Sequence, residues 1–293
     1  MQDFKIISDS TCDLSADQAK DMGVDIVPLY LSINGRDYLK ENVELPLKTF
    51  YKAIRERVMP KTSQPSVDDY LSAFLPYLEN KLDIMCFCLS AKLSGSYQSA
   101  VNAANILLER YRERKILVLD TDSVSYGLIY MMMEAKRLSA EGLSSLKVID
   151  LIRRQISRSR AYFTMDSLEY LQRGGRIGGL SSLVGTLLNI KPVGLLKNGD
   201  VIPVAKVRSR KRAIEQIVRI SLDYMEGRYR DFYIGPIHTD CPEDAQAMRE
   251  LLVREAGEEA VSPVLQAGAT IGAHSGPTTI GVLMFPRIKT QFT

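Results

Sequence analysis

The sequence predicts an α/β protein in two parts. Residues 1–158 read as a mainly parallel sheet flanked by helices, and residues 159–293 as an α+β part with a mixed sheet. Three observations carry this. The chain has 293 residues, more than one hydrophobic core usually organises. Short apolar runs alternate with helix-period segments as far as residue 157, the pattern of a parallel sheet covered on both faces. Beyond that point, Asn198-Gly199 between two apolar runs is the strongest short hairpin signal and brings in antiparallel pairing.

In chain order, Phe4–Ile7 reads as a strand leading into a polar loop, Ser8–Asp13. Asp25–Ile33 reads as a second strand, closed by the turn Asn34-Gly35. Ser66 opens a helix whose apolar residues Val67, Tyr70, Leu71, Phe74, Leu75 and Leu78 share one face. Pro76 is expected to kink or end its last turn. Asp83–Leu89 is a buried strand running through Ser90–Ser96 into a helix. Lys115–Asp120 is another strand, followed by an apolar helix over Tyr126–Leu138 and an amphipathic one over Ser144–Ser157. In the second part Tyr162–Thr164 is strand-like. The stripe Leu180, Leu183, Val184, Leu187 and Leu188 has helical spacing and suits core packing or the wall of an apolar tunnel. Val193–Lys197 and Asp200–Val207 form the hairpin, and Ser209 caps a helix ending at Gly227. Phe232–His238 and Gly281–Phe285 are strands, with a helix from Pro242 to about Ala256 between them.

Composition excludes several classes. Hydrophobic residues make up 45% and charged residues 25%, ordinary values for a globular protein. The net charge is +3, too small a surplus for a nucleic-acid-coating protein. No apolar run is long enough for a membrane span. Met1–Lys5 lacks the basic and apolar regions of a signal peptide. Four cysteines in so long a chain form no disulfide framework, so a reduced, cytoplasmic setting is expected. Cys86 and Cys88 share one face of a strand and read as buried thiols. Two histidines argue against an imidazole metal site.

Chemistry is concentrated in a few loops. Thr62, Ser63 and Ser66 put three hydroxyls just before a helix, and Leu93-Ser94-Gly95-Ser96 follows a buried strand and precedes another. Hydroxyls and free amides at helix starts suit an anion, and ligands of α/β sheets sit beyond the carboxyl ends of strands. The same serines also read as helix caps, and one residue can serve both roles. His274 lies in a glycine-bounded loop between strand-like segments, whereas His238 reads as structural. No third residue completes a hydrolytic triad with Ser94 and His274, and no nucleophile elbow is present. Arg173-Gly-Gly-Arg176 matches neither a phosphate loop nor a dinucleotide fingerprint, so Gly174–Gly179 reads as a hinge that could gate a ligand. Lys206, Arg208, Arg210, Lys211 and Arg212 place five positive charges in seven residues with no acid. Such a run is a solvated face, or it meets a phosphate or an acidic partner.

Taken together, several segments resemble the DegV family of bacterial fatty-acid-binding proteins. They are Ile7-Ser8-Asp9-Ser10-Thr11, Thr62-Ser63-Gln64-Pro65-Ser66, Leu93–Ala100, Leu171–Ile177, Asn189-Ile190-Lys191-Pro192, Lys206-Val207-Arg208 and His274-Ser275-Gly276-Pro277. They occur in family order and span nearly the whole chain. Thr278 departs from the family, which commonly has glycine there, and Ser96 stands where threonine is frequent.

The resemblance implies a long-chain fatty acid such as hexadecanoate as the bound ligand, with no cofactor. It implies that Thr62, Ser94 and His274 bind the carboxylate, with Ser10, Gly95, Arg173 and Arg208 as further ligand or partner contacts. It also implies a substrate-binding subunit with no nucleotide site of its own, presenting the carboxylate to a separate ATP-binding fatty acid kinase subunit. Transient contact with a membrane surface is compatible with that role. On this reading the Lys206–Arg212 patch docks the kinase subunit or its nucleotide phosphates, and two hydroxyls and an imidazole bind the carboxylate without a strong buried cation. Burying about 14 methylenes at about 0.8 kcal/mol each supplies on the order of 11 kcal/mol gross, much of it offset by lost freedom. The competing readings are a regulatory or nucleic-acid-binding protein using the basic patch, and a lipid-ester hydrolase using Ser94 and His274.

Overall fold

The computed structural model describes residues 4–185 and 190–290. Its elements in chain order are β1 (Phe4–Asp9), α1 (Ala16–Met22), β2 (Val24–Val27), β3 (Tyr30–Ser32), β4 (Leu39–Lys40), α2 (Leu47–Arg55), β5 (Lys61–Ser63), α3 (Val67–Glu79), β6 (Asp83–Cys88), α4 (Ser96–Arg110), β7 (Ile116–Asp120), α5 (Tyr126–Ala140), α6 (Ser145–Ile156), β8 (Arg160–Thr164), α7 (Glu169–Arg173), β9 (Lys191–Lys197), β10 (Asp200–Val207), α8 (Arg210–Met225), β11 (Phe232–His238), α9 (Pro242–Ala256), β12 (Leu265–Gln266), α10 (Ala269–Ser275) and β13 (Ile280–Pro286).

A parallel sheet of order β2-β1-β6-β7 and a mixed sheet of order β10-β9-β8-β13-β11-β12 form the frame. Alternate residues of the parallel sheet face opposite layers. Ile7, Ile84, Cys86, Cys88 and Val118 pack with Phe74 of α3 and Ala100 and Ala104 of α4. Ile6, Met85, Phe87 and Leu119 pack instead with α5 and α6. Those two helices also touch the mixed sheet, because Leu196, Tyr233, Leu283 and Phe285 belong to the same cluster. A helix lying between two sheets keeps only a narrow solvent face, here around Met133, which explains why α5 is largely apolar. Helices α8 and α9 cover the far face of the mixed sheet through Ile217, Met248 and their neighbours. Cys86 and Cys88 are fully buried free thiols.

The sequence reading needs four corrections. Asp25–Ile33 is not one strand. Pro28 falls between β2 and β3, and the two halves join different sheets, β3 lying in a small antiparallel sheet of order β4-β3-β5. Proline removes a ladder donor, and the chain turns there. The Ser8–Asp13 segment is not all loop: Ser8 and Asp9 end β1, Ser10–Cys12 form a 3-10 turn, and Ser8, Asp9, Ser10, Thr11 and Asp13 are buried. Helix α3 runs on to Glu79 through Pro76. Ser72, whose carbonyl loses its donor to the proline, lies on the exposed face, so water can satisfy it. Finally, Gly178–Leu183 forms a 3-10 turn rather than the start of an α-helix. Leu180 and Leu183 pack there with Met165 and Leu171, while Leu187, Leu188 and Asn189 lie outside the described residues.

The hairpin tip has Asn198 at φ 51° and Gly199 at φ 71°, the left-handed pair that a two-residue turn between twisted strands requires. Ser209 accepts a hydrogen bond from Arg212 N–H at the start of α8. Among the described residues no helix is long and apolar enough to cross a membrane.

Candidate functional site

A cavity of about 590 Å³ lies between the carboxyl ends of the parallel strands and the near face of the mixed sheet, within the range of small-molecule sites. Much of its wall is apolar, with Leu29, Val124, Ala161, Phe163, Leu196, Val201, Ile237 and Leu283 on it. Polar residues also line it, among them Thr11, Thr62, Gln64, Ser94, Arg176, Thr270 and His274.

Thr62 sits on the edge strand β5, paired to β3 through Leu31. Its Oγ1 lies 2.8 Å from His274 Nε2. His274 is not in a loop as the sequence suggested. It occupies the last turn of α10, a helix of small residues. Gly272 lets this helix press onto α2, since a Cβ there would stand 2.7 Å from the Tyr51 hydroxyl and 2.9 Å from the Phe50 ring. Burial first, and the nearby Arg176 guanidinium second, push the imidazole down to about 4, so His274 is neutral at pH 7. Its Nδ1 is buried with no hydrogen-bond partner.

Ser94 lines the same cavity, and its Oγ accepts from Ser96 N–H at 3.2 Å. The cap position of α4 is Gly95, with no side-chain cap, so Ser94 is not its cap but holds the N–H of the helix's first residue. Gly95 precedes α4, and a Cβ there would run into the Gln64 side chain, with the amide carbon at 2.6 Å. That contact closes the Thr62–Ser66 segment onto the Ser94–Ser96 turn. The other residues named from sequence lie elsewhere. Ser10 is buried behind the cavity wall, donating to Glu41 and accepting from Leu29 N–H. Arg173 is exposed and pairs with Glu169 one helical turn away. Arg208 is exposed at the end of β10 and does not line the cavity.

Arg176 is the residue that sequence reasoning passed over. Its Nε donates to Leu93 C=O at 2.9 Å and its Nη1 to Gly174 C=O at 2.6 Å, tying the glycine-rich stretch to the loop before Ser94. The sequence reading expected no strong buried cation here; the half-buried Arg176 guanidinium lines the cavity. Gly175, at φ 70°, turns the chain between the two arginines, so Arg173 stays on the surface while Arg176 reaches the cavity. Two arginines flanking a glycine pair were the available signal, and only the turn distinguishes them.

Of the basic run, Lys206, Arg208, Lys211 and Arg212 are exposed. Arg210 is different: its Nε donates to Asp244 at 2.7 Å and its Nη2 to Cys241 Sγ at 3.3 Å. The acid missing from the sequence run is supplied in space by α9.

The model of the DegV family, described as "Uncharacterised protein, DegV family", matches residues 3–287. A DegV domain-containing protein of Caldanaerobacter subterraneus subsp. tengcongensis is 34% identical over 285 residues, covering 96% of this chain and 98% of that protein. Among solved structures, a stearic-acid-binding protein of Eubacterium ventriosum superposes with a TM-score of 0.91 at 28% identity, covering 97% of this chain and 99% of that one. A fatty-acid-binding DegV family protein of Thermus thermophilus gives 0.87 at 33% identity, covering 98% and 100%. With its motifs in family order, its fold superposed on these proteins and the family model matched over almost its whole length, the chain belongs to the DegV family.

Proposed function

We propose that this protein binds a long-chain fatty acid, with the acyl chain in the apolar depth of the cavity and the carboxylate at its polar end. The observation that carries this is the lining of the cavity. About 590 Å³ is lined mainly by aliphatic and aromatic side chains, and the same wall carries the Thr62 hydroxyl 2.8 Å from the neutral His274 imidazole, with the Arg176 guanidinium near that ring. An amphiphile with one anionic head and a long apolar tail matches that lining. Hydroxyl donors at Thr62 and Ser94 and the guanidinium of Arg176 satisfy the head group. The tail gains about 0.8 kcal/mol for each buried methylene. The fatty acids bound by related proteins of the same fold support the reading.

The finer proposal is that the chain is a carrier subunit that presents the carboxylate to a separate ATP-dependent kinase. Its role is then to hold the acid with one carboxylate oxygen able to meet a phosphoryl donor, while the tail stays out of water. The open basic face on β10 and α8 supplies a complementary surface for an acidic partner.

Denaturing mass spectrometry of an organic extract from the purified protein tests the binding. A stoichiometric long-chain acid is the expected result. An empty extract, followed by failure to bind added palmitate or oleate, would reject it. Incubation with ATP and a fatty acid kinase subunit tests the carrier role by acyl-phosphate formation.

A further inference from the structure

We infer that Glu41 and Asp13 are positioning residues of the head-group site: two buried carboxylates hold the first turn of α10 and thereby set where His274, on its last turn, meets Thr62. The inference rests on the reading of the cavity as a fatty-acid site.

Helix α10 has only seven residues and no side-chain cap of its own, with Gly268 in the cap position. So short a helix has little intrinsic stability, and its first N–H groups need acceptors from elsewhere. Two distant residues supply them. Asp13 Oδ1 accepts from Gly268 N–H at 2.8 Å, across 255 residues of sequence. Glu41 Oε1 accepts from Thr270 N–H at 2.7 Å, and its Oε2 from the Thr270 hydroxyl at 2.7 Å. Glu41 is 1% exposed and Asp13 7%, so neither exchanges these partners for water. The fit is close: a Cβ on Gly268 would lie 2.7 Å from Glu41 Oε1 and 2.8 Å from Asp13 Oδ1.

The flank of the helix is fixed by Gly272 against Phe50 and Tyr51, and by the Tyr51 hydroxyl donating to Ala267 C=O at 2.8 Å. Position along the axis is left to the two carboxylates. One turn further on, about 6 Å at 1.5 Å per residue, the helix delivers His274 to Thr62 at 2.8 Å. Slippage of a few tenths of an ångström at Thr270 passes directly to that contact. Thr270 itself lines the cavity, so its hydroxyl, committed as a donor to Glu41, shows the ligand only lone pairs. A carboxylate head group is turned away from Thr270 and towards Thr62.

The test compares dodecanoate with dodecan-1-ol, which share a tail and differ in the head group, in displacement titrations on the full chain. Wild type is expected to prefer the acid. Glu41→Gln keeps the shape but replaces one of the two carboxylate acceptor oxygens with an amide nitrogen, and is expected to weaken dodecanoate at least tenfold while changing dodecanol less than twofold. Gly268→Ala, which pushes on both carboxylates, is expected to act in the same direction and serves if Glu41→Gln does not fold. Equal weakening of both ligands, or unchanged acid preference in a folded variant, overturns the positioning role. A wild type that binds neither ligand overturns the fatty-acid reading and this inference together.

Discussion

The Thr62 hydroxyl and His274 Nε2 lie 2.8 Å apart although 212 residues separate them. With Nδ1 buried and unpartnered, the ring has one hydrogen-bond partner, and that partner faces the cavity. When Nε2–H donates to Thr62 Oγ1, the threonine proton is free for the carboxylate. Thr62→Val removes this donor, so the acid affinity should fall about tenfold, the worth of one hydrogen bond to a charged group. Thr62→Ser should stay within about threefold. Because Thr62→Val also leaves the His274 ring without a partner, it should cost about 1–3 kcal/mol of stability, whereas Thr62→Ser should not. Titration with a fluorescent fatty acid reads the first effect, and an unchanged affinity in Thr62→Val would place the head group elsewhere.

His274 also makes stability depend on pH. Its folded value of about 4 lies below the ordinary 6.5, through burial and then Arg176. Between those values the unfolded chain binds the proton and the folded chain does not. Stability is therefore fully present above about pH 6.5 and is lost as pH falls towards 4, by up to roughly 3 kcal/mol. Urea titrations at pH 7 and pH 5 should show roughly 2 kcal/mol of that loss in wild type and a smaller one in His274→Gln. Equal losses in the two proteins would assign the slope to other groups.

Most of the frame was legible in the sequence because its signals are local. Asn198-Gly199 specifies its own turn, and Ser66 and Ser209 cap the helices that follow them. What stayed hidden depends on partners distant in the chain. Helix α10 is too short and too small-sided to show a period, and its caps come from Asp13 and Glu41. The break in Asp25–Ile33 reflects a third sheet that no local pattern announces, although Pro28 marked the spot. At the site, the Thr62, Ser94 and His274 motifs converge on one cavity. The different fates of Arg173 and Arg176 follow from the turn at Gly175.

Chain-length preference should respond to the apolar wall. Ala161 on β8 is 6% exposed and faces the cavity among Leu196 and Leu283. Ala161→Phe fills space there, and each methylene displaced from the apolar depth forfeits about 0.8 kcal/mol. Sixteen- and eighteen-carbon acids should lose ten-fold or more, while twelve-carbon acids lose little. A competition series over even chain lengths measures this. Uniform weakening at every length would mean that the tail runs along another wall.

The basic face separates binding from presentation. Lys206, Arg208, Lys211 and Arg212 are exposed and none lines the cavity, whereas Arg210 is held between Asp244 and Cys241. Charge reversal at Arg208 and Lys211 together should leave fatty-acid affinity within about twofold and thermal stability nearly unchanged. Acyl-phosphate formation with a fatty acid kinase subunit and ATP should be lost in that double variant. In wild type its rate should fall with added salt, since steering between exposed charges is screened within about 10 Å at 0.1 M. Arg210→Glu should behave differently. It sets a second carboxylate against Asp244 in a half-buried position, so it should destabilise the fold by about 1–2 kcal/mol, and a loss of phosphorylation there would go with a lower melting temperature. Measuring both activities and the melting temperature in the two variants separates these effects. Undiminished phosphorylation in the exposed double variant would move the docking surface off this face.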